Sequence, residues 1–201
     1  MRRFALSVSL LLAGCALTSK AKPLELRYFS PESAKRVTAR AQEPVARLRL
    51  SRPTSSANLR YRIVRRESPV EVANYETLRW TETPADYVER SLLRALFDDG
   101  RFQQIVSGPA LTLEVDVIAF EDARRDRHRI GRVQLSYRLH DERSVLTSGV
   151  VEVERNAGAD TIESVVVAIG AAMDGATAEI AERVARQLAH SGSAASDARA
   201  P

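Results

Sequence analysis

The amino-acid sequence predicts one compact α/β domain, with two main helices packed on a mixed, largely antiparallel sheet that ends in a C-terminal β-meander. Three alternating apolar/polar runs follow one another between residues 111 and 153, which is typical of a meander with one buried face. Two segments repeat apolar residues at helical spacing behind N-terminal capping residues. The chain of 201 residues is long enough for a single domain with a core.

Residues 1–14 have the features of a bacterial export signal. Two arginines precede an apolar run over residues 4–13, which is too short to span a bilayer. The run ends in LAGC at residues 12–15, a tetrad that resembles the lipobox of bacterial lipoproteins. In that motif the cysteine receives a diacylglycerol, the signal is cut before it, and the new amine is acylated. We therefore predict lipidation at Cys15; the alternative is a chance cleavage site with an incidental cysteine.

The predicted mature chain of 187 residues is close to neutral. Loss of the two signal-peptide arginines leaves 28 basic against 26 acidic residues, a net charge of +2. This balance gives little support for nucleic-acid binding. Ala16, and not Asp, follows the cysteine, which by resemblance to enterobacterial sorting favours the outer membrane, with the domain facing the periplasm. We expect residues 15–23 to form a short tether.

The first half of the domain, which we place at residues 24–190, combines short strands with one helix. Alternation predicts strands over residues 24–29, 45–50 and 59–64, and a loop or short helix over residues 30–43. Thr83, Pro84 and Asp86 form a helix N-terminus with the Ser/Thr-x-x-acid pattern. Apolar residues then recur on one face until Gly100, which favours the end of a helix.

The second half predicts the meander and a long helix. The charged run over residues 121–131 predicts a solvent-exposed hairpin tip, with contact to lipid headgroups or an acidic partner as the alternative. Asp160 and Glu163 predict the start of the helix, whose apolar stripe continues to Leu188; core burial is its simplest role, and cover of a lipid-holding groove is the alternative. Residues 191–201 are small and polar, and we expect them to be disordered.

No catalytic constellation is found in the sequence. His128, His140 and His190 lack metal-ligand spacing, and neither a G-x-S-x-G elbow nor a phosphate-binding glycine loop occurs. We therefore expect a protein that is not an enzyme and needs no metal or cofactor. The aromatic residues Tyr61, Tyr75 and Trp80 are either anchors of the core or a partner-facing patch.

The stretches LRYRIV, YETLRW and TPADYVERSLLRALFDDGRFQQIV together resemble the family of ABC-type transport auxiliary lipoproteins. The matching features are the Tyr61-Arg62 pair, the aromatic stretch ending in Arg79-Trp80, the Leu-rich helix, and the Phe102-to-Val106 strand. The later elements also match in order, so the resemblance covers about residues 24–190. Glu76 stands where the pattern suggests a further aromatic residue, which weakens the aromatic-patch interpretation.

The resemblance implies an outer-membrane lipoprotein without catalytic activity. Its partners would be an inner-membrane ABC transporter and an MCE-domain protein, and the cargo would be phospholipid or another apolar molecule; a homo-oligomeric ring is one arrangement that the resemblance allows. The alternative is an activator of a peptidoglycan synthase, a penicillin-binding protein. Those activators have long tethers, whereas the eight residues between Cys15 and Leu24 reach under about 30 Å, which favours docking at the membrane.

Overall fold

A computed structural model describes residues 24–31, 44–98 and 100–197 of the chain. The predicted signal peptide, Cys15, the tether, residues 32–43 and residues 198–201 lie outside the described residues. Within them the chain forms nine strands and two helices in one domain. The elements are β1 (Arg27–Phe29), β2 (Ala46–Leu50), β3 (Thr54–Ser55), β4 (Arg62–Arg66), β5 (Val72–Trp80), α1 (Pro84–Phe97), β6 (Phe102–Gln104), β7 (Leu111–Arg125), β8 (His128–His140), β9 (Val145–Asn156) and α2 (Ile162–Asp197).

The 15-residue strand β7 organises the sheet. One edge of β7 pairs with antiparallel β8, which in turn pairs with antiparallel β9, so the predicted meander is confirmed. The other edge of β7 pairs with β2, β3 and β4 in succession, all parallel to it. Beyond these, β6 is parallel to β2, β5 is antiparallel to β4, and β1 is parallel to β5. The predicted mixed, largely antiparallel sheet with two helices is therefore the observed fold.

Helix α1 begins as its sequence predicts. The Thr83 hydroxyl accepts a hydrogen bond from the backbone N–H of Asp86, and the Asp86 carboxylate accepts one from the backbone N–H of Thr83. This reciprocal capping box satisfies two backbone donors that the first turn of a helix leaves unpaired. The chain leaves the helix at Asp98, and Gly100 follows with φ of +73°.

Helix α2 departs from its prediction at both ends. The hydroxyl of Thr161, and not Asp160, caps the helix by accepting from the backbone N–H of Ser164. Glu163 is therefore not the capping partner and instead pairs with Arg27 of β1 at 2.5 Å. The helix continues to Asp197, so it includes most of the segment that we expected to be disordered.

The charged run over residues 121–131 forms the predicted solvent-exposed hairpin tip only at its centre, where residues 124–128 are exposed; the expectation that the whole run is solvated was wrong. The turn is confined to Asp126 and Arg127, which have φ of 48° and 69°, and the flanking residues continue β7 and β8. Glu121 and Asp122 of this run are buried. Arginines of β8 within or next to the same run face both carboxylates, so the charges pair inside the sheet and need no exposure to water.

A glycine allows α2 to lie directly on the sheet. A Cβ atom at Gly131 of β8 would overlap the backbone nitrogen of Ile169 in α2, so only glycine permits this separation of helix and strand. Gly170 of α2 serves a similar purpose, because a Cβ atom there would overlap the carbonyl oxygen of Pro31. Although glycine weakens a helix interior, α2 continues through Gly170 as one helix.

We expect Gly131→Ala to lower the free energy of unfolding by about 1–3 kcal/mol, because α2 must move away from β8 to admit the new methyl group. Urea denaturation followed by circular dichroism measures this loss. Gly149→Ala is the matched control, because its new Cβ would lie 3.2 Å from a ring atom of Tyr137, a side chain that can shift. An equal loss in both variants would contradict the close approach of α2.

Candidate functional site

The aromatic residues singled out from the sequence do not form one surface patch. Trp80 has no exposed surface. Its ring packs edge-on against Tyr87 of α1 and Phe120 of β7, with centroids 6.2 and 5.4 Å apart. Trp80 is therefore a core anchor where α1 meets the sheet, and its assignment to a partner-facing patch was wrong.

Tyr75 is half-buried, and its side chain forms hydrogen bonds inside the domain. Its hydroxyl donates to Oδ2 of Asp122 at 2.5 Å and accepts from Nη2 of Arg129 at 2.9 Å. The guanidinium of Arg65 lies 5.4 Å from the centre of the ring. Burial, followed by the hydrogen bond and negative charge of Asp122, raises the pKa of the Tyr75 phenol to about 12. Of the three aromatic residues, only Tyr61 is largely exposed, at 55%.

Asp122 is buried on the face of the sheet that α2 covers, since it pairs with Gly131 across the strands. Arg129 donates to both of its carboxylate oxygens, at 3.3 and 2.5 Å. The same arginine lies 3.7 Å from Asp160, just before α2. This cluster of polar side chains connects β5, β7, β8 and the segment before α2, so its role is to hold these elements together.

Glu121 points to the opposite face of the sheet and is only 2% exposed. It accepts from Nε of Arg66 at 2.6 Å and from Nη1 of Arg132 at 2.5 Å. Arg132 also donates to Glu152 of β9 at 2.9 Å, and this bond holds the pKa of the Glu152 carboxyl below its usual range. The network links β4, β7, β8 and β9 on the face away from the helices.

Two open depressions border these elements. One, of about 600 Å³, lies on the face away from the helices, over Ala119, Ala123 and Ile130, with charged residues of both signs around it. The other, of about 520 Å³, lies between α1 and α2 and is lined by small residues together with Arg94 and Asp174. Neither is enclosed, and their lining does not select one class of ligand.

The apolar stripe of α2 belongs to the core. Its members Ile169, Met173, Ile180 and Val184 have no exposed surface and pack in the core cluster. The groove between α1 and α2 is lined by other residues of the helix, so the stripe does not cover a lipid-holding groove. The range Ile162–His190 is long and apolar enough to span a membrane, as a long buried helix of a globular core also can be. Its packing on the sheet accounts for its apolar composition.

No group of three or more His, Cys, Asp or Glu residues within the described ranges could hold a metal ion. His140 lies near Glu114, with 3.5 Å between Nε2 and Oε1, and also contacts the carbonyl oxygen of Asp141. His128 is exposed next to the β7–β8 turn, and His190 is exposed near the end of α2. The structure therefore brings the three histidines to separate places.

The described residues define a small α/β domain with a mixed nine-stranded sheet and two helices. The family model described as "ABC-type transport auxiliary lipoprotein component" matches residues 29–181, and the chain belongs to this family. The family is described by a transport role and not by an enzymatic reaction. No curated protein matches the sequence closely enough to count as a relative.

Solved structures have the same fold. Protein XCC0632 from Xanthomonas campestris aligns with a TM-score of 0.72 and 22% identity, over 83% of this chain and 99% of that one. The hypothetical protein CT253 from Chlamydia trachomatis aligns with a TM-score of 0.53 and 10% identity, over 71% of this chain and 97% of that one. At these identities the likeness concerns the fold alone.

The raised pKa of Tyr75 makes the stability of the fold depend on pH. The folded value of about 12 lies above the ordinary value of 10.0, so the contribution is present below pH 10 and is lost as the pH rises towards 12. We expect the free energy of unfolding of the wild type to fall more steeply over this interval than that of Tyr75→Phe. Urea denaturation at a series of pH values tests this, with Tyr28→Phe as an exposed control. Equal slopes for the wild type and Tyr75→Phe would contradict the buried contact with Asp122.

We expect Glu121→Gln to lower the free energy of unfolding by about 3 kcal/mol, because it leaves two partly buried arginines without their shared carboxylate. Glu152→Gln removes a carboxylate from the same Arg132, but that carboxylate is much more exposed, so its loss should be about 1 kcal/mol or less. Chemical denaturation at neutral pH measures both. A ranking in the opposite order would show that Glu121 is not the centre of the network.

Proposed function

We propose that this protein is an outer-membrane lipoprotein, held at the periplasmic face by acylated Cys15, that serves as a non-catalytic auxiliary component of an ABC/MCE-type transport system. The system would move phospholipids or other apolar molecules between the inner and outer membranes. The observation that carries the proposal is the family match over residues 29–181, which covers most of the domain. The lipobox tetrad at residues 12–15 supports the anchor.

The arrangement of the domain favours an adaptor over a cargo carrier. The apolar stripe of α2 is buried in the core, so it offers no surface to a ligand. The two depressions described above are open and bordered by charged residues. A carrier of apolar cargo needs apolar surface that is shielded from water. The domain therefore acts by binding a protein partner, an MCE-domain protein, through which it is coupled to the inner-membrane ABC transporter. Assembly into a ring of subunits is part of this proposal.

The short tether favours binding of the partner close to the outer membrane. Only eight residues separate Cys15 from Leu24, and they extend at most about 30 Å. A domain held this close to the outer membrane meets the distal end of a periplasmic conduit. Binding a peptidoglycan synthase across the cell wall would require a much longer segment.

We expect the full-length protein, isolated from its native cells in mild detergent, to retain an MCE-domain protein and enriched phospholipid. Quantitative mass spectrometry of the retained proteins and lipids makes the measurement. Cys15→Ala should move the protein from the membrane fraction to the soluble fraction and reduce recovery of the partner, because the anchor is lost. Ser19→Ala, within the same tether, is the matched control and should change neither result.

Three results would contradict the proposal. Recovery of a penicillin-binding protein in place of the MCE-domain protein would identify an activator of peptidoglycan synthesis. Recovery of neither protein from cells that contain both would exclude the adaptor role. Retention of Cys15→Ala in the membrane fraction at the wild-type level would exclude the lipid anchor.

A further inference from the structure

The free edge of the sheet at β1 exposes apolar side chains on one face only. Arg27 and Phe29 turn towards the helices, where Arg27 pairs with Glu163 of α2 and Phe29 packs against the core. Because side chains alternate along a strand, Leu26 and Tyr28 turn to the opposite face. Tyr28 is 61% exposed, and Leu24, two residues before Leu26, is 60% exposed.

Basic residues adjoin this apolar edge. In the strand register, Tyr28 lies beside Arg79 of β5, and Arg79 lies beside Arg62 of β4. Arg79 donates to the carbonyl oxygens of Tyr75 and Leu78, which holds it against β5. Arg60 and Arg62 are exposed and form no ion pair or side-chain hydrogen bond within the described ranges.

We infer that this surface, formed by Leu24, Leu26, Tyr28, Arg60 and Arg62 and here called the β1 face, rests on the anionic surface of a phospholipid bilayer. Tyrosine and leucine side chains favour the boundary between headgroups and acyl chains. Unpaired arginines are attracted by lipid phosphates, and each strengthens binding several-fold near an anionic surface. The combination of both residue types on one edge fits a membrane surface.

The position of the tether places this face next to the bilayer. The inference rests on the proposed anchor at Cys15. From that residue, eight residues with two lysines, Lys20 and Lys22, lead directly into Leu24. The β1 face is therefore the part of the described domain that the anchor holds nearest to lipid. Its contact with headgroups would fix the orientation of the domain and leave the opposite edge, at β9, turned away from the membrane.

Fluorescence quenching in vesicles tests the orientation with the complete acylated protein. Tyr28→Trp places a reporter on the β1 face, and Val145→Trp is the matched control because Val145 is similarly exposed, at 56%, on the edge strand at the other side of the sheet. Both variants are reconstituted into vesicles of phosphatidylethanolamine and phosphatidylglycerol that contain phospholipids brominated on the acyl chains. The native Trp80 is buried and supplies the same background in both.

We expect quenching of the Tyr28→Trp reporter to be at least about threefold stronger than that of Val145→Trp. Adding Arg60→Gln and Arg62→Gln should weaken this quenching in vesicles with phosphatidylglycerol and leave it unchanged in vesicles of phosphatidylcholine alone. Equal and weak quenching of the two reporters would overturn the inference. A photo-crosslinker placed at position 28 gives a second test in cells. If it forms an adduct with a protein and none with lipid, the inference is overturned and the β1 face is a protein interface.

Vesicle flotation before each measurement separates this inference from the proposed anchor. Protein that fails to float shows that the anchor is absent, which refutes the proposed function and removes the basis of the orientation. Protein that floats without preferential quenching shows that the anchor is present and that the β1 face is not the membrane-facing surface.

Discussion

Two adjacent carboxylates, Glu121 and Asp122, impose the constraint on which the rest of the sheet depends. Neighbouring residues of a strand point to opposite faces, so β7 buries one negative charge on each side of the sheet. A buried charge is tolerated only with a partner, and each carboxylate therefore requires arginine on its own face. Arg132 and Arg129 of β8 meet this need only in the observed register, since a slip by one residue would send each arginine to the wrong face.

Much of the fold could be predicted from short stretches of the sequence. Alternation predicts the meander, and the Thr83-Pro84-Asp86 pattern predicts the start of α1, because both depend on residues close in the chain. The predicted hairpin tip extended too far on both sides of the turn, because a run of charges is usually solvated, whereas Glu121 and Asp122 are buried and pair with arginines across strands. A two-residue turn at Asp126 and Arg127, once recognised, fixes Glu121 opposite Arg132. Aspartate, as in Asp126, is common at the first position of such turns, but Arg127 stands where glycine usually marks the second, so the signal in the sequence was weak.

The candidate site was harder to predict than the fold because exposure depends on contacts distant in sequence. The sequence around Trp80 and Tyr61 does not show which of the two aromatic side chains is buried. In the structure Trp80 packs against Tyr87 and Phe120 in the core, whereas Tyr61 lies at the surface. The β1 face was likewise not visible in the sequence, because it is assembled from residues 24–28 and 60–62, which meet only through β5. The described domain thus combines a nine-stranded sheet with an edge at β1 that carries exposed apolar and basic side chains.

The proposed orientation of the domain at the membrane depends on the proposed lipid anchor at Cys15. Mass spectrometry of the N-terminal peptide of the protein from its native membranes tests this most directly. We expect a mature chain that begins at Cys15 and carries a diacylglyceryl group on the thiol and an acyl chain on the amine. A chain with an unmodified Cys15, or one that begins after it, would show that the domain is not anchored through this residue.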